Sequence, residues 1–245
     1  MAKHPVPTVV RVIRFFLRPV LMLVTKRDWQ GMDNLPDGGF VLAPNHISHL
    51  DPFLISHFML DNGIAPQFLA KDTLVSAKGF GWILRSAEQI PVYRSTTGAA
   101  ESLRAAATAV EEGRVVTIYP EGTITRDPAA WPMSGRTGAV RVALMTGRPL
   151  VPLMQWGPQE ILWPYAKRVR LFPRRTIHIR VGKPIDLSDL VDQELTEKVL
   201  HTATDRLMDS LTAMMSQVRG ELPSTPRIDV HTLSRPKTNY QRRES

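Results

Sequence analysis

The chain reads as an α/β protein: one domain with a mostly parallel central sheet flanked by helices, preceded by an amphipathic membrane-interface helix. Three observations carry this. Short apolar runs alternate with longer stretches of helical periodicity through the middle of the sequence, the pattern of strands joined by crossover helices. At 245 residues and 43% hydrophobic side chains, the chain is long enough to bury one sizeable core. The formal charge of +8 sits at the ends: residues 1–27 hold six basic residues and no acid, and residues 28–220 balance. A neutral body with a basic arm points to an anionic surface and away from a nucleic-acid-binding fold.

The arm comes first in chain order. Between Val9 and Val24, Arg11, Arg14 and Arg18 follow the i, i+3, i+7 pattern of one cationic stripe, with Val, Ile, Phe and Leu around the rest of the circumference. Charge within the apolar stretch argues against a spanning helix, which needs about 20 largely uncharged residues, and no small-residue cleavage site marks a secretory signal. The expected role is an interfacial helix that bends or restarts at Pro19, with Phe15 and Phe16 in the acyl region and Arg11, Arg14 and Arg18 among lipid phosphates. Docking of this helix on the protein's own core is the alternative.

Strands are expected at 40–43, 67–70, 89–93, 115–119, 150–155 and 177–181, and helices at 52–60, 74–84, 98–112 and 136–146, with a last amphipathic helix at 195–218. Asp51 before Pro52 marks a helix start, the acid as N-cap and the proline at the first helical position. The folded body is expected to span 28–220. From Glu221 onward prolines stand among Ser, Thr, Arg and Lys, so 221–245 is expected to be a disordered basic tail. The chain has no cysteine, which excludes disulfides, thiolate metal sites and a cysteinyl acyl-enzyme. It also lacks a phosphate-binding P-loop, a dinucleotide glycine fingerprint and a Gly-x-Ser-x-Gly elbow.

The segment Asn45-His46-Ile47-Ser48-His49-Leu50-Asp51-Pro52 offers a base and an orienting carboxylate. Histidine titrates near physiological pH and takes a proton from an alcohol once a carboxylate fixes its tautomer. Five residues along a helix is about 140° of rotation, so a turn must separate His46 from Asp51 if they are to meet. Two other readings stand: an ordinary helix start beside a polar loop, and a metal-dependent hydrolase using His46, His49 and Asp51. The other histidines are scattered along the chain, which leaves the metal reading short of ligands. Two further loops fall at strand ends. Gln89-Ile90-Pro91-Val92-Tyr93-Arg94 puts an arginine where it either grips a phosphate or merely closes a strand in solvent. Val115-Val116-Thr117-Ile118-Tyr119-Pro120-Glu121-Gly122-Thr123 ends a buried strand with an acid, a glycine and a hydroxyl, in which Gly122 lets Glu121 and Thr123 face a ligand, unless this is a plain strand-end turn.

The four blocks NHxxxxD, IPVYR, YPEGT and Val151-Pro152-Leu153, in this order, resemble the glycerolipid acyltransferases typified by 1-acyl-sn-glycerol-3-phosphate acyltransferase, over roughly residues 28–185. The resemblance implies a catalytic pair at His46 and Asp51. It implies binding of the phosphorylated acceptor by Arg94, Glu121, Gly122 and Thr123, and places Pro152 near the acyl site. One departure stands out: the family commonly continues Glu-Gly-Thr-Arg-Ser, whereas Ile124 and Thr125 follow here. Arg126, or a residue such as Arg136, then has to supply the guanidinium, or the acceptor differs.

The expected reaction moves a fatty acyl group from acyl-CoA or acyl carrier protein to the free hydroxyl of lysophosphatidic acid or a related lysolipid, giving phosphatidic acid. No metal or cofactor is called for. His46 acts as general base, and donors near the first loop, backbone N–H groups among them, steady the oxyanion. Glycerol-3-phosphate, a lysophospholipid or an amino lipid are alternative acceptors. Such amphiphilic substrates imply a peripheral or monotopic enzyme on an anionic membrane at its cytoplasmic face. A basic, aromatic loop at residues 163–175 is a second candidate lipid contact.

Overall fold

Strands that are apolar at every position need cover on both faces, and β2 (Phe40–Pro44) shows how this is met. Phe40 and Leu42 enter a core shared with Leu54, Ile55, Phe58 and Met59, while Val41 and Ala43 enter a second core with Val110, Val140, Leu207 and Leu211. The computed structural model describes residues 5–79, 81–93, 96–166 and 168–232. Chain order runs α1 (Thr8–Val24), β1 (Thr25–Gln30), β2, α2 (Asp51–Asp61), β3 (Pro66–Lys71), α3 (Asp72–Val75), α4 (Gly81–Ser86), β4 (Ile90–Val92), α5 (Thr96–Glu111), β5 (Val115–Thr117), α6 (Gly138–Thr146), β6 (Leu150–Trp156), α7 (Pro158–Ile161), β7 (Arg175–Val181) and α8 (Glu197–Arg219). The seven strands form one sheet in the order β1-β7-β6-β2-β5-β3-β4. Every neighbouring pair is parallel except β6 and β7. The mostly parallel α/β architecture expected from the alternation is the one observed.

Four local expectations change. Thr25–Gln30, the end of the supposed arm, forms the edge strand β1 paired with β7, so the boundary placed at residue 27 falls inside the sheet. The helix expected at 74–84 is two short helices, because α4 packs so closely on α3 that a Cβ on Gly81 would lie 2.2 Å from the Val75 carbonyl oxygen. Helix α1 runs through Pro19 without restarting. Residues 221–232 are not all free of the body: Ser134 N–H donates to Ile228 O at 2.9 Å, Val230 N–H donates to Ser134 Oγ at 2.9 Å, and Val230 is buried. Residues 233–245 lie outside the described residues.

Candidate active site

The chemistry gathers where parallel strands end, the edge at which open α/β sheets bind ligands. Asn45, just past β2, is clamped to β6: its Nδ2 donates to Gln155 O at 3.1 Å, and Gln155 donates back through its backbone N–H to Asn45 Oδ1 at 2.7 Å and through Nε2 to Asn45 O at 3.1 Å. From this fixed point the chain turns through residues 46–50 into α2. The turn brings His46 Nδ1 to 2.8 Å from Asp51 Oδ2. The same oxygen accepts N–H groups from Ile47 at 2.7 Å and Ser48 at 3.0 Å. Asp51 is thus the first residue of α2 with its carboxylate folded back onto the preceding loop, not the expected N-cap reaching forward, because three donors lie behind it. Burial raises the Asp51 pKa, opposed by His46 and the two N–H groups. The two backbone N–H groups on Oδ2 mark that oxygen as an acceptor, so the tautomer that suits it has the proton on His46 Nδ1 and a lone pair on Nε2. The His46 side chain remains 16% exposed, whereas Asp51 is fully buried.

A second layer holds the base in place. The Tyr119 ring stacks on His46 with centroids 4.0 Å apart and an interplanar angle of 21°. Glu121 lies beneath the loop, fully buried: Oε1 accepts the His46 N–H at 3.0 Å and Oε2 the Met133 N–H at 3.1 Å. Burial pushes its pKa up to about 8, despite those two N–H groups. The expectation that Glu121 faces the acceptor is therefore corrected. Both oxygens serve the backbone, and the residue positions His46. Tyr119 also stays neutral, since burial and the nearby Asp51 drive its pKa upward.

The remaining predicted residues scatter more. Gly122 is exposed at φ +66°, beside the Arg136 side chain. Thr123 Oγ1 lies 3.2 Å from Tyr165 Oη, which donates to Ile124 O at 2.8 Å. Arg126 is half-buried, its backbone N–H on Met133 Sδ at 3.3 Å. Pro152 is buried within β6 opposite Ala43, three residues before Gln155 on the strand that clamps Asn45. Arg94 lies outside the described residues. The His49 and Tyr165 rings stand perpendicular, centroids 6.4 Å apart, and no group of three His, Asp or Glu forms a metal-ligand cluster among the described residues. Of the backbone N–H groups in the first loop, those of His46, Ile47, Ser48, Leu50 and Asp51 are engaged by Glu121, Asp51, Asp51, Ser48 Oγ and Ser48 O, which leaves that of His49 among the expected oxyanion donors.

The arginines of the arm are placed otherwise than expected. Arg14 and Arg18 converge on Asp61 at the end of α2, at 2.9 and 3.0 Å, joined by Arg27 at 3.3 Å. The arginine stripe thus fastens α1 to the body, as three cations find a carboxylate that sequence spacing could not pair with them. Arg11 stays exposed and, among the described residues, its side chain bonds locally to Thr8 at 3.0 Å. Outward face Phe15 at 73% and Phe16 at 69% exposure, with Val12, Val20 and Leu23. No helix among the described residues is long and apolar enough to cross a membrane.

The contacts that Tyr119, Met133, Gln155 and Tyr165 make in the site are not evident from the sequence alone. Tyr119 sits in the YPEGT block itself, so its adjacency to Glu121 was the available signal.

Residues 26–156 match the Acyltransferase family model. The chain is 29% identical over 168 residues to 1-acyl-sn-glycerol-3-phosphate acyltransferase of Bacillus subtilis (strain 168), over 68% of this chain and 77% of that protein. It is 27% identical over 179 residues to a chloroplastic 1-acyl-sn-glycerol-3-phosphate acyltransferase of Brassica napus, over 71% of this chain and 50% of that protein, so it spans half the length of this relative. The crystal structure of the 1-acyl-sn-glycerophosphate acyltransferase from Thermotoga maritima shares the fold, with a TM-score of 0.65 at 21% identity, covering 88% of this chain and 81% of that one. A family match that spans more than half of the chain and contains His46, Asp51 and Glu121 makes this protein a member of the Acyltransferase family, an enzyme whose chemistry is acyl transfer.

Proposed function

We propose that the enzyme transfers a fatty acyl group from acyl-CoA or acyl carrier protein to the free hydroxyl of 1-acyl-sn-glycerol-3-phosphate, forming phosphatidic acid. The observation that carries this is the imidazole held at Nδ1 by Asp51, 2.8 Å away, with its ring against Tyr119 and its other nitrogen free to act as base. His46 Nε2 takes the proton as the acceptor oxygen attacks the thioester carbonyl. The tetrahedral intermediate then expels the thiolate, which receives that proton and leaves as a thiol, so an ester and a thiol replace an alcohol and a thioester. The steps require neither metal nor cofactor. The names of the relatives support the acceptor, while the buried, uncharged Ile124 and Thr125 favour keeping glycerol-3-phosphate, another lysophospholipid or an amino lipid as a second reading.

Substrates of this kind reside in bilayers, and the outward apolar side of α1 suits a peripheral position on an anionic, cytoplasmic membrane face. The loop at 168–174 extends that surface. Arg174 Nη2 reaches Met22 O at 2.8 Å and Thr25 O at 2.7 Å at the end of α1, and Val169, Leu171 and Phe172 stand exposed beside Arg168 and Arg170.

The test is transfer from labelled acyl-CoA to a panel of these acceptors, with His46→Ala as control. Lysophosphatidate should be the preferred acceptor, and the variant should lose at least about 10²- to 10⁴-fold in rate, the usual worth of a general base. Near-normal transfer by folded His46→Ala would end the proposal, and preference for another acceptor would replace its substrate.

A further inference from the structure

A phosphate-bearing acceptor, on the reading above, needs a cation near the catalytic loop, and guanidinium suits it best because its planar fork matches phosphate oxygens. The loop after β5 is where that cation is wanted, since Glu121 on this loop holds the His46 backbone at 3.0 Å. Its own next residues supply none: Ile124 and Thr125 are 4% and 1% exposed. Arg126 is half-buried and not free.

The start of α6 brings in another arginine. The Arg136 backbone N–H donates to Pro120 O at 2.7 Å, which fixes the residue against the turn that carries Glu121. Its side chain then crosses Gly122 at close range: a Cβ on that glycine would lie 3.0 Å from Arg136 Cδ and 3.1 Å from Nε. Gly122 therefore serves two ends, the left-handed turn at φ +66° and a clear path for the arginine arm. Arg136 is exposed, and its guanidinium makes no hydrogen bond or ion pair among the described residues. The carboxyl group below it does not compete, for Glu121 has both oxygens turned to backbone N–H groups.

We infer that Arg136, passing over Gly122, grips the phosphate of the acceptor and so selects phosphorylated over uncharged lysolipids. The inference rests on the lysophosphatidate reading and gives that acceptor its anchor.

The experiment measures acyl transfer from acyl-CoA by the full chain and by its Arg136→Gln and Arg136→Lys variants. Acceptors are lysophosphatidate and phosphate-free monoacylglycerol, and thermal melts confirm that all three proteins fold. For Arg136→Gln the acceptor KM for lysophosphatidate should rise about tenfold or more, the effect of losing a charge-assisted hydrogen bond. The KM for acyl-CoA and the rate with monoacylglycerol should stay within about twofold, and Arg136→Lys should recover part of the loss. An unchanged lysophosphatidate KM in Arg136→Gln, or an equal loss on both acceptors, overturns the assignment alone. A wild-type enzyme that does not favour lysophosphatidate over monoacylglycerol overturns the acceptor reading and the assignment with it.

Discussion

Replacing Glu121 by Gln separates the charge of this residue from its shape. Burial moves its pKa from an ordinary 4.5 to about 8, with the N–H groups of Met133 and His46 opposing and Asp51 and Asp127 adding to the rise. The folded protein thus holds this proton more tightly than the unfolded chain. The associated stabilisation is complete below about pH 4.5 and is lost as pH rises toward about 8. Over that window, at about 1.4 kcal/mol per pH unit, the loss is of the order of 5 kcal/mol. Gln does not titrate, but it offers one acceptor to the two N–H groups that Glu121 serves, so one of them loses its partner at a constant cost of about 1–3 kcal/mol. Urea unfolding of both proteins between pH 5 and pH 9 measures the difference. The wild type should be the more stable at pH 5, and its advantage should shrink by about 4 kcal/mol by pH 8 and level off there. Parallel stability curves would refute the reasoning, because they would mean that the carboxyl group beneath His46 is ionised throughout.

Asp51→Asn tests the catalytic pair more finely than removal of His46. Three donors converge on Oδ2, so the amide oxygen should settle there and preserve the tautomer, and kcat should fall about 10²-fold through loss of the imidazolium's counter-charge, short of the roughly 10⁴-fold drop that a wrong tautomer brings. A kcat within about threefold of wild type in steady-state assays would remove Asp51 from the mechanism. For the membrane face, Phe15→Ser combined with Phe16→Ser should weaken sedimentation with anionic vesicles by about tenfold or more, given about 1.5–3 kcal/mol for each buried ring. Unchanged vesicle binding would place the docking surface elsewhere.

Strands β2, β5 and β6 are legible because a strand buried on both faces is apolar almost throughout whatever lies beside it, and β7 because Ile177, Ile179 and Val181 alternate with half-buried polar residues. Edge strand β1 is not. Its sequence Thr-Lys-Arg-Asp-Trp-Gln carries little apolar alternation, and it is a strand only because β7, some 150 residues later, pairs with it. The same division runs through the site. His46 and Asp51 are five residues apart, so their meeting depends on one local turn that Pro52 helps to start. Glu121 reaches His46 across 75 residues. An acid before a glycine reads alike whether it faces a ligand or turns inward, and only the chain that covers it, here Met133, decides.

The arm carries this argument to the membrane. Helical periodicity put Arg14 and Arg18 on one stripe correctly, yet which side of a helix meets the body is set by its partner, and that partner, Asp61, lies more than 40 residues away. Their charge is met within the protein, so what α1 turns outward is chiefly apolar, with Arg11 at its edge. Adsorption through this face would then draw on buried apolar area, which salt does not screen, more than on attraction between arginine and lipid phosphate, which it does. On the proposed membrane reading, the cationic share of the contact would fall to the loop bearing Arg168 and Arg170. That loop follows Leu162, whose carbonyl accepts the hydroxyl of Ser48 at 2.8 Å, two residues from His46, the proposed base.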